Sequence, residues 1–129
     1  MSLHRLLLTS TLLFLSACHT APTTDNPRAV EERTFDAPPE VLYRHAIDAV
    51  TGLGWAVSDA DPSSGLIEAG TPARMGSFGR QVRVRITASA PDQSLVKVTV
   101  ESRRADRSAM NKTNVTQFYQ ALNQHLADR

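Results

Sequence analysis

The sequence predicts a two-layer α+β domain in the order β-α-β-β-β-β-α, with two helices on one face of an antiparallel sheet. Two segments, residues 81–87 and 96–101, alternate apolar and polar residues, as strands with one face in water do. Two others, residues 39–53 and 110–126, repeat apolar residues at helical spacing. An amphipathic sheet and two amphipathic helices bury their apolar faces together as two layers.

The first half of the domain contains one strand and one helix. Residues 30–35 predict the strand. Prolines at 38 and 39 suit the first turn of a helix, because proline lacks the N–H that would find no partner there. The residue before them, Asp36 or Ala37, is therefore expected to cap the helix. The apolar face of this helix is formed by Leu42, Ala46, Ala49 and Leu53. Gly52 and Gly54 are expected to end it.

Four strands and a second helix follow. Residues 55–58 and 66–69 predict short strands around a turn at 61–65, and a glycine-rich loop spans 70–79. The two long strands follow, joined by a turn at 91–93. The second helix carries an apolar face formed by Val115, Phe118, Leu122 and Leu126. Trp55, at the start of a strand, is expected to pack in the core rather than to serve as a stacking platform.

A family resemblance covers about 35 residues of this region. The stretch "FDAPPEVLYRHAIDAVTGLGWAVSDADPSSGLIEA" resembles the helix-grip repeats of BamC-type lipoproteins of the outer-membrane β-barrel assembly machinery. The shared positions are an entry proline, a glycine–aromatic pair, a valine and an Asp-x-x-x-Gly turn: Pro38, Gly54, Trp55, Val57, Asp61 and Gly65. The resemblance implies a helix-grip-like fold and a role in interaction or assembly.

The first 17 residues predict a secretory signal peptide. Arg5 supplies a positive head, and residues 6–15 form an uncharged apolar run. That run is too short for a bilayer span, which needs about 20 residues. The remaining chain divides into a flexible tether, residues 18–29, and one domain, residues 30–129.

The end of the signal contains the only cysteine of the chain. The run Leu15-Ser16-Ala17-Cys18 resembles the lipobox of bacterial lipoproteins, which implies cleavage between Ala17 and Cys18 and acylation of Cys18, whose thiolate is a strong nucleophile. Two or more acyl chains give stable membrane anchoring. His19, in place of aspartate, implies the periplasm-facing leaflet of the outer membrane. The alternative is a conventional signal followed by a stray or buried cysteine.

The charge balance and the distribution of reactive residues exclude several functions. With 14 Lys and Arg against 13 Asp and Glu, the chain lacks the basic excess of a nucleic-acid binder. His45 and His125 lie on different predicted helices with no ligand spacing, so no metal site and no cofactor are expected. Asp59 and Asp61 flank a Pro-Ser-Ser-Gly turn, and we expect a turn-capping role. The sequence therefore predicts no catalytic residues and no enzyme.

Two candidate binding surfaces remain. Arg83, Arg85 and Lys97 are expected side by side on the wet face of the long strands, either as a cationic contact surface or as an ordinary solvated face. Met75 and Phe78, in the loop 70–79, either contact a partner or cap the core. We expect an envelope protein interaction or assembly module. The alternative is a binding module for an envelope lipid, glycan or small molecule.

Overall fold

A computed structural model describes residues 28–73, 79–102 and 108–128, and its fold confirms the predicted class. Within these ranges seven elements follow one another: β1 (Arg28–Phe35), α1 (Pro39–Gly52), β2 (Ala56–Asp61), β3 (Leu66–Gly70), β4 (Gln81–Ala90), β5 (Gln93–Glu101) and α2 (Ser108–Ala127). The strands form one antiparallel sheet in the order β1-β5-β4-β3-β2. Both helices pack on one face of it, which makes a helix-grip-like, two-layer domain.

The central strands β4 and β5 follow the predicted alternation. One side of each strand is buried throughout its middle and faces the helices, and this side consists of Val82, Val84, Ile86, Val96, Val98 and Val100. Both strands are longer than the pattern predicts, because their pairing continues to Ala90 opposite Gln93. The core thus lies between these two strands and the helices.

Helix α1 is capped one residue later than the sequence suggested. Its N-cap is Pro38, with extended backbone (φ −68°, ψ 155°) and no side-chain cap, so the prediction of Asp36 or Ala37 is wrong. The rigid proline ring presets this geometry without help from a capping side chain. The helix ends as expected, with Gly54 at φ +76°, a conformation that favours glycine. Trp55 then enters the core with only 5% of its surface exposed, as predicted.

The turn between β2 and β3 is fixed by side-chain hydrogen bonds and by one glycine. Asp61 Oδ1 accepts hydrogen bonds from the Ser63 main-chain N–H (3.1 Å) and from the Ser63 hydroxyl (2.6 Å). Gly65 adopts φ +71° and packs against the main chain of Ile86 on β4. The turn-capping role predicted for Asp61 is thereby confirmed.

Helix α2 packs beside α1 on the same face of the sheet, against β1 and β5. Phe118, Tyr119 and Leu122 are completely buried. The Tyr119 ring stacks on Phe35 at a centroid distance of 6.2 Å, and the Arg33 guanidinium lies 4.2 Å from the centre of the same ring. Within the described ranges, neither helix has the length and apolar composition that crossing a bilayer requires.

Candidate interaction surface

The sheet face opposite the helices brings the predicted cations together. Arg83 pairs with Thr99 and Arg85 pairs with Lys97 across β4 and β5, and all three cationic side chains are exposed. Paired residues of neighbouring strands present their side chains on the same face. We call this side of the sheet the outer face. None of the described elements covers it.

Acidic side chains on neighbouring strands offset part of this positive charge. The Arg83 Nε donates a hydrogen bond to Glu68 Oε1 on β3 at 2.9 Å, an exposed ion pair of the kind that contributes at most about 1 kcal/mol. On the other side, Glu32 of β1 lies opposite Lys97 in the register. The outer face therefore carries cationic side chains on the neighbouring strands β5 and β4 and acidic ones on the flanking strands β1 and β3, with Arg85 and Lys97 adjacent at its centre.

The strand β2 forms an open edge of the sheet. It pairs with β3 alone, and five of its six residues are exposed. Among them Val57 is an exposed apolar residue, and Asp59 is the carboxylate that follows a shift in the pairing register. An edge strand offers unpaired main-chain N–H and C=O groups to another strand, and its charges limit which strands can pair with it. The sequence predicted β2 only to Ser58, so most of this acidic edge was not foreseen.

The second predicted surface cannot be placed, since Met75 and Phe78 lie outside the described residues. The positions that flank them are described. Thr71 and Arg80 are joined by two hydrogen bonds at the end of the β3–β4 pairing. The Thr71 N–H donates to the Arg80 carbonyl oxygen at 2.9 Å, and the Arg80 N–H donates to Thr71 Oγ1 at 2.8 Å. Beside them is an open cleft of about 500 Å³, lined by Ala56, Ser58, Ala69, Gly70, Thr71, Ala73, Gly79, Arg80 and Gln81.

Arg80 is the residue that the sequence reading missed. Only 6% of its surface is exposed, although it stands between a glycine-rich loop and a strand. A signal for its burial was available: counting back by twos from Ile86 through Val82 places Arg80 on the helix-facing side of β4. The charge of this arginine is thus held inside the domain rather than on the outer face.

The remaining titratable residues do not converge on a reactive arrangement. Hydrogen bonds from Ser63 and Ser64 hold the pKa of Asp61 below its ordinary value, as expected for a turn carboxylate rather than a proton donor. His45 and His125 lie on α1 and α2. Within the described part of the chain, no group of three or more His, Cys, Asp or Glu side chains is placed to hold a metal ion.

The region between α2 and the sheet is occupied by side chains. The Tyr119 hydroxyl lies 2.9 Å from the Glu31 carbonyl oxygen and 2.8 Å from that of Val96. Burial, with a smaller effect from Glu31, raises the pKa of this phenol well above its usual range. A ligand could enter between this part of α2 and the sheet only by displacing Tyr119 and its neighbours.

Comparison with known proteins extends the fold assignment. No protein-family model and no curated protein matches the chain. Among solved structures, Ara h 8.0201 is similar with a TM-score of 0.51 and 11% identity over 79% of this chain and 98% of that one. TTHA0849 from Thermus thermophilus aligns with a TM-score of 0.38 and 15% identity over 79% and 95% of the two chains. EF2215 from Enterococcus faecalis, a conserved protein of unknown function, aligns at 0.42 and 10% over 78% and 83%.

The comparison with Ara h 8.0201 supports the class of fold. The likeness to Ara h 8.0201, a helix-grip protein, agrees with the five-stranded antiparallel sheet and two helices described above. At this level of identity the likeness concerns the fold alone. The chain has a helix-grip-like α+β domain, and its function has to be argued from its own surface.

Proposed function

We propose that this protein is a non-enzymatic lipoprotein of the bacterial envelope, anchored through an acylated Cys18, whose domain binds a protein partner on the periplasmic side of the outer membrane. The anchoring rests on the run Leu15-Ser16-Ala17-Cys18 after an apolar signal. The interaction role rests on one structural observation: β2 is an edge strand with five exposed residues, continuous with an outer face that no described element covers.

The chemistry of this edge favours a particular kind of partner. The strand carries Asp59 and Asp61 and no cation, and Glu68 lies opposite Asp59 on β3. A partner strand with basic or neutral side chains would place favourable charges opposite these carboxylates, whereas an acidic one would be repelled. Addition of a strand to an exposed sheet edge derives affinity from main-chain hydrogen bonds and specificity from alternate side chains.

Photo-crosslinking in living cells tests the interaction. A photoreactive phenylalanine analogue is placed at Asp59 on β2, in a second variant at Arg85 on the outer face, and in a control variant at Lys112, which is exposed on α2. We expect a discrete protein adduct from Asp59 or Arg85 that Lys112 does not give. Lipid or glycan adducts without a protein adduct would contradict the proposal, as would the same adducts from all three positions.

A second candidate function is the binding of a small envelope molecule. The observation that favours it is the open cleft of about 500 Å³ beside Thr71 and Arg80, since small-molecule sites commonly occupy roughly 300–1,000 Å³. Among the described residues that line this cleft, Arg80 is the charged one, so it indicates most about the kind of molecule that could bind there.

A further inference from the structure

Arg80 contributes a fixed positive charge to a nearly closed environment. Only 6% of the residue is exposed, and its buried Nε has no hydrogen-bond partner among the residues that the structure describes. A guanidinium keeps its proton at any physiological pH, so this charge cannot be removed by titration. A buried charge is normally paired, because its lost hydration is otherwise uncompensated.

The surroundings of Arg80 supply donors rather than a counter-charge. None of the described residues lining the cleft is acidic. Ser58 and Thr71 belong to the same lining, and a serine or threonine hydroxyl has a hydrogen to donate. A cleft lined by an arginine, a serine and a threonine, and by no described acidic residue, is electrostatically suited to an anion.

The same end of the core contains further buried polar side chains. One residue beyond the last β4–β5 pair, Gln81 with Glu101, the chain reaches Arg80 on one strand and Ser102 on the other. Ser102 is 5% exposed, and its Oγ lies 3.5 Å from the Nδ2 of Asn111 on α2. The middle of the core, by contrast, is packed with aliphatic and aromatic side chains. The polar character is therefore local to the end of the domain at which Arg80 lies.

From these observations we infer that the Arg80 cleft binds a small molecule through an oxyanion, a phosphate or a carboxylate group. The planar guanidinium matches the two oxygens of such a group, and hydrogen bonds between charged partners are the strong ones. The volume of about 500 Å³ exceeds that of the anionic group itself, so the cleft accommodates a larger molecule that carries it. This site is separate from the partner edge proposed above, and either can fail without the other.

The first test observes the Arg80 side chain directly in the full chain. The Nε–H resonance of Arg80 is followed by ¹H–¹⁵N NMR and identified by its loss in Arg80→Met. Sodium phosphate and then sodium acetate are titrated in, with sodium chloride keeping the ionic strength constant. We expect a saturable shift of this resonance with at least one of the two anions. The absence of a saturable shift with both would overturn the proposal.

The second test compares thermal stability in three proteins: wild type, Arg80→Met, and the matched control Arg85→Met, which removes an exposed arginine. Phosphate at roughly ten times its Kd is expected to raise the Tm of wild type and of Arg85→Met by about 5 °C or more. Phosphate also stabilises proteins generally by exclusion from their surface, so Arg80→Met measures that background. The same comparison is made with acetate, and equal rises in all three proteins with both anions would refute a site at Arg80.

The two salts also narrow the chemistry of the ligand. A response to phosphate alone assigns the cleft to phosphate esters, and a response to acetate alone assigns it to carboxylic acids. Either result supports the proposed oxyanion site. If Arg80→Met does not fold, Arg80→Lys identifies the resonance instead, because lysine keeps the positive charge and lacks the guanidinium Nε–H, and the NMR titration of the wild-type chain still decides the question.

Discussion

The hydroxyl of Tyr119 on α2 lies 2.8 Å from the carbonyl oxygen of Val96 on β5, at the centre of the sheet. The same hydroxyl is 2.9 Å from the carbonyl oxygen of Glu31 on the edge strand β1, and its single hydrogen serves both. One phenol thus connects the last helix with two neighbouring strands, in a position where water has no access.

Replacing Tyr119 with phenylalanine removes this connection while keeping the ring. The free energy of unfolding is expected to fall by about 1–2 kcal/mol, since buried carbonyls lose a donor without gaining water. Urea unfolding measures the loss. Tyr43→Phe is the control: its hydroxyl donates to the Leu66 carbonyl at 3.0 Å in a less buried position, and we expect a smaller effect. A larger loss in Tyr43→Phe would contradict this assignment.

The stability of the protein should also depend on alkaline pH through Tyr119. Burial raises the pKa of this phenol above the ordinary 10.0, so the folded protein keeps a proton that the unfolded chain releases. The stabilisation is therefore fully present below about pH 10 and is lost as the pH rises above it, by up to about 1.4 kcal/mol per pH unit. Urea unfolding from about pH 8 to about pH 11 should show a steeper decline in wild type than in Tyr119→Phe. If the free energy of unfolding falls equally with pH in both proteins, folding does not raise the pKa of the Tyr119 phenol.

Two glycines with positive φ should respond differently to a methyl group. In Gly65→Ala the new Cβ would overlap the Ile86 carbonyl oxygen, whereas at Gly54 it would have nothing within 4 Å. Gly54→Ala should therefore cost only the backbone strain, about 1–2 kcal/mol, and Gly65→Ala should cost at least about 3 kcal/mol. Chemical denaturation of both variants gives the comparison. Similar costs would show that the turn moves away from β4 without penalty.

Cys18→Ala should block lipidation and leave an unprocessed precursor, because the proposed acylation requires the thiol. Processing is followed by electrophoretic mobility and by mass spectrometry of the membrane fraction. A conservative change elsewhere in the proposed tether, Thr23→Ala, controls for the effect of substitution itself and should be processed normally. Normal processing of Cys18→Ala into a soluble mature protein would refute the lipoprotein proposal.

The fold was predictable where residue pattern and burial agree. The alternation in residues 81–87 and 96–101 anticipated the buried valines of β4 and β5, because a period of two is compatible with few structures other than a half-buried strand. Helix α2 was placed within two residues of its observed bounds. Tyr119 was absent from its predicted apolar face, because α2 contacts both α1 and the sheet and so buries a wider arc than one helical stripe.

The surface was less predictable, because it depends on which strands become neighbours in the sheet. Residues 59–61 of β2 have little strand propensity and are strand only because β3 pairs with them, a contact that local sequence does not encode. The cationic stripe was foreseen on β4 and β5, but the opposing Glu68 and Glu32 come from other strands. Arg80 falls between the predicted loop, residues 70–79, and the predicted strand, residues 81–87, and the inward direction of its side chain is set by the strand pairing that follows it.

The sheet order has a consequence for the sequence of events in folding. The first strand has a single sheet neighbour, β5, and its contact with Tyr119 joins residues 88 positions apart. During synthesis, which starts at the N-terminus, β1 therefore has no strand to pair with until β5 has been made. The hairpins β2–β3 and β4–β5 can form earlier, because their strands are close in sequence. Such non-local pairing slows the final step. The late docking of β1 would close the domain only once its last helix has been made.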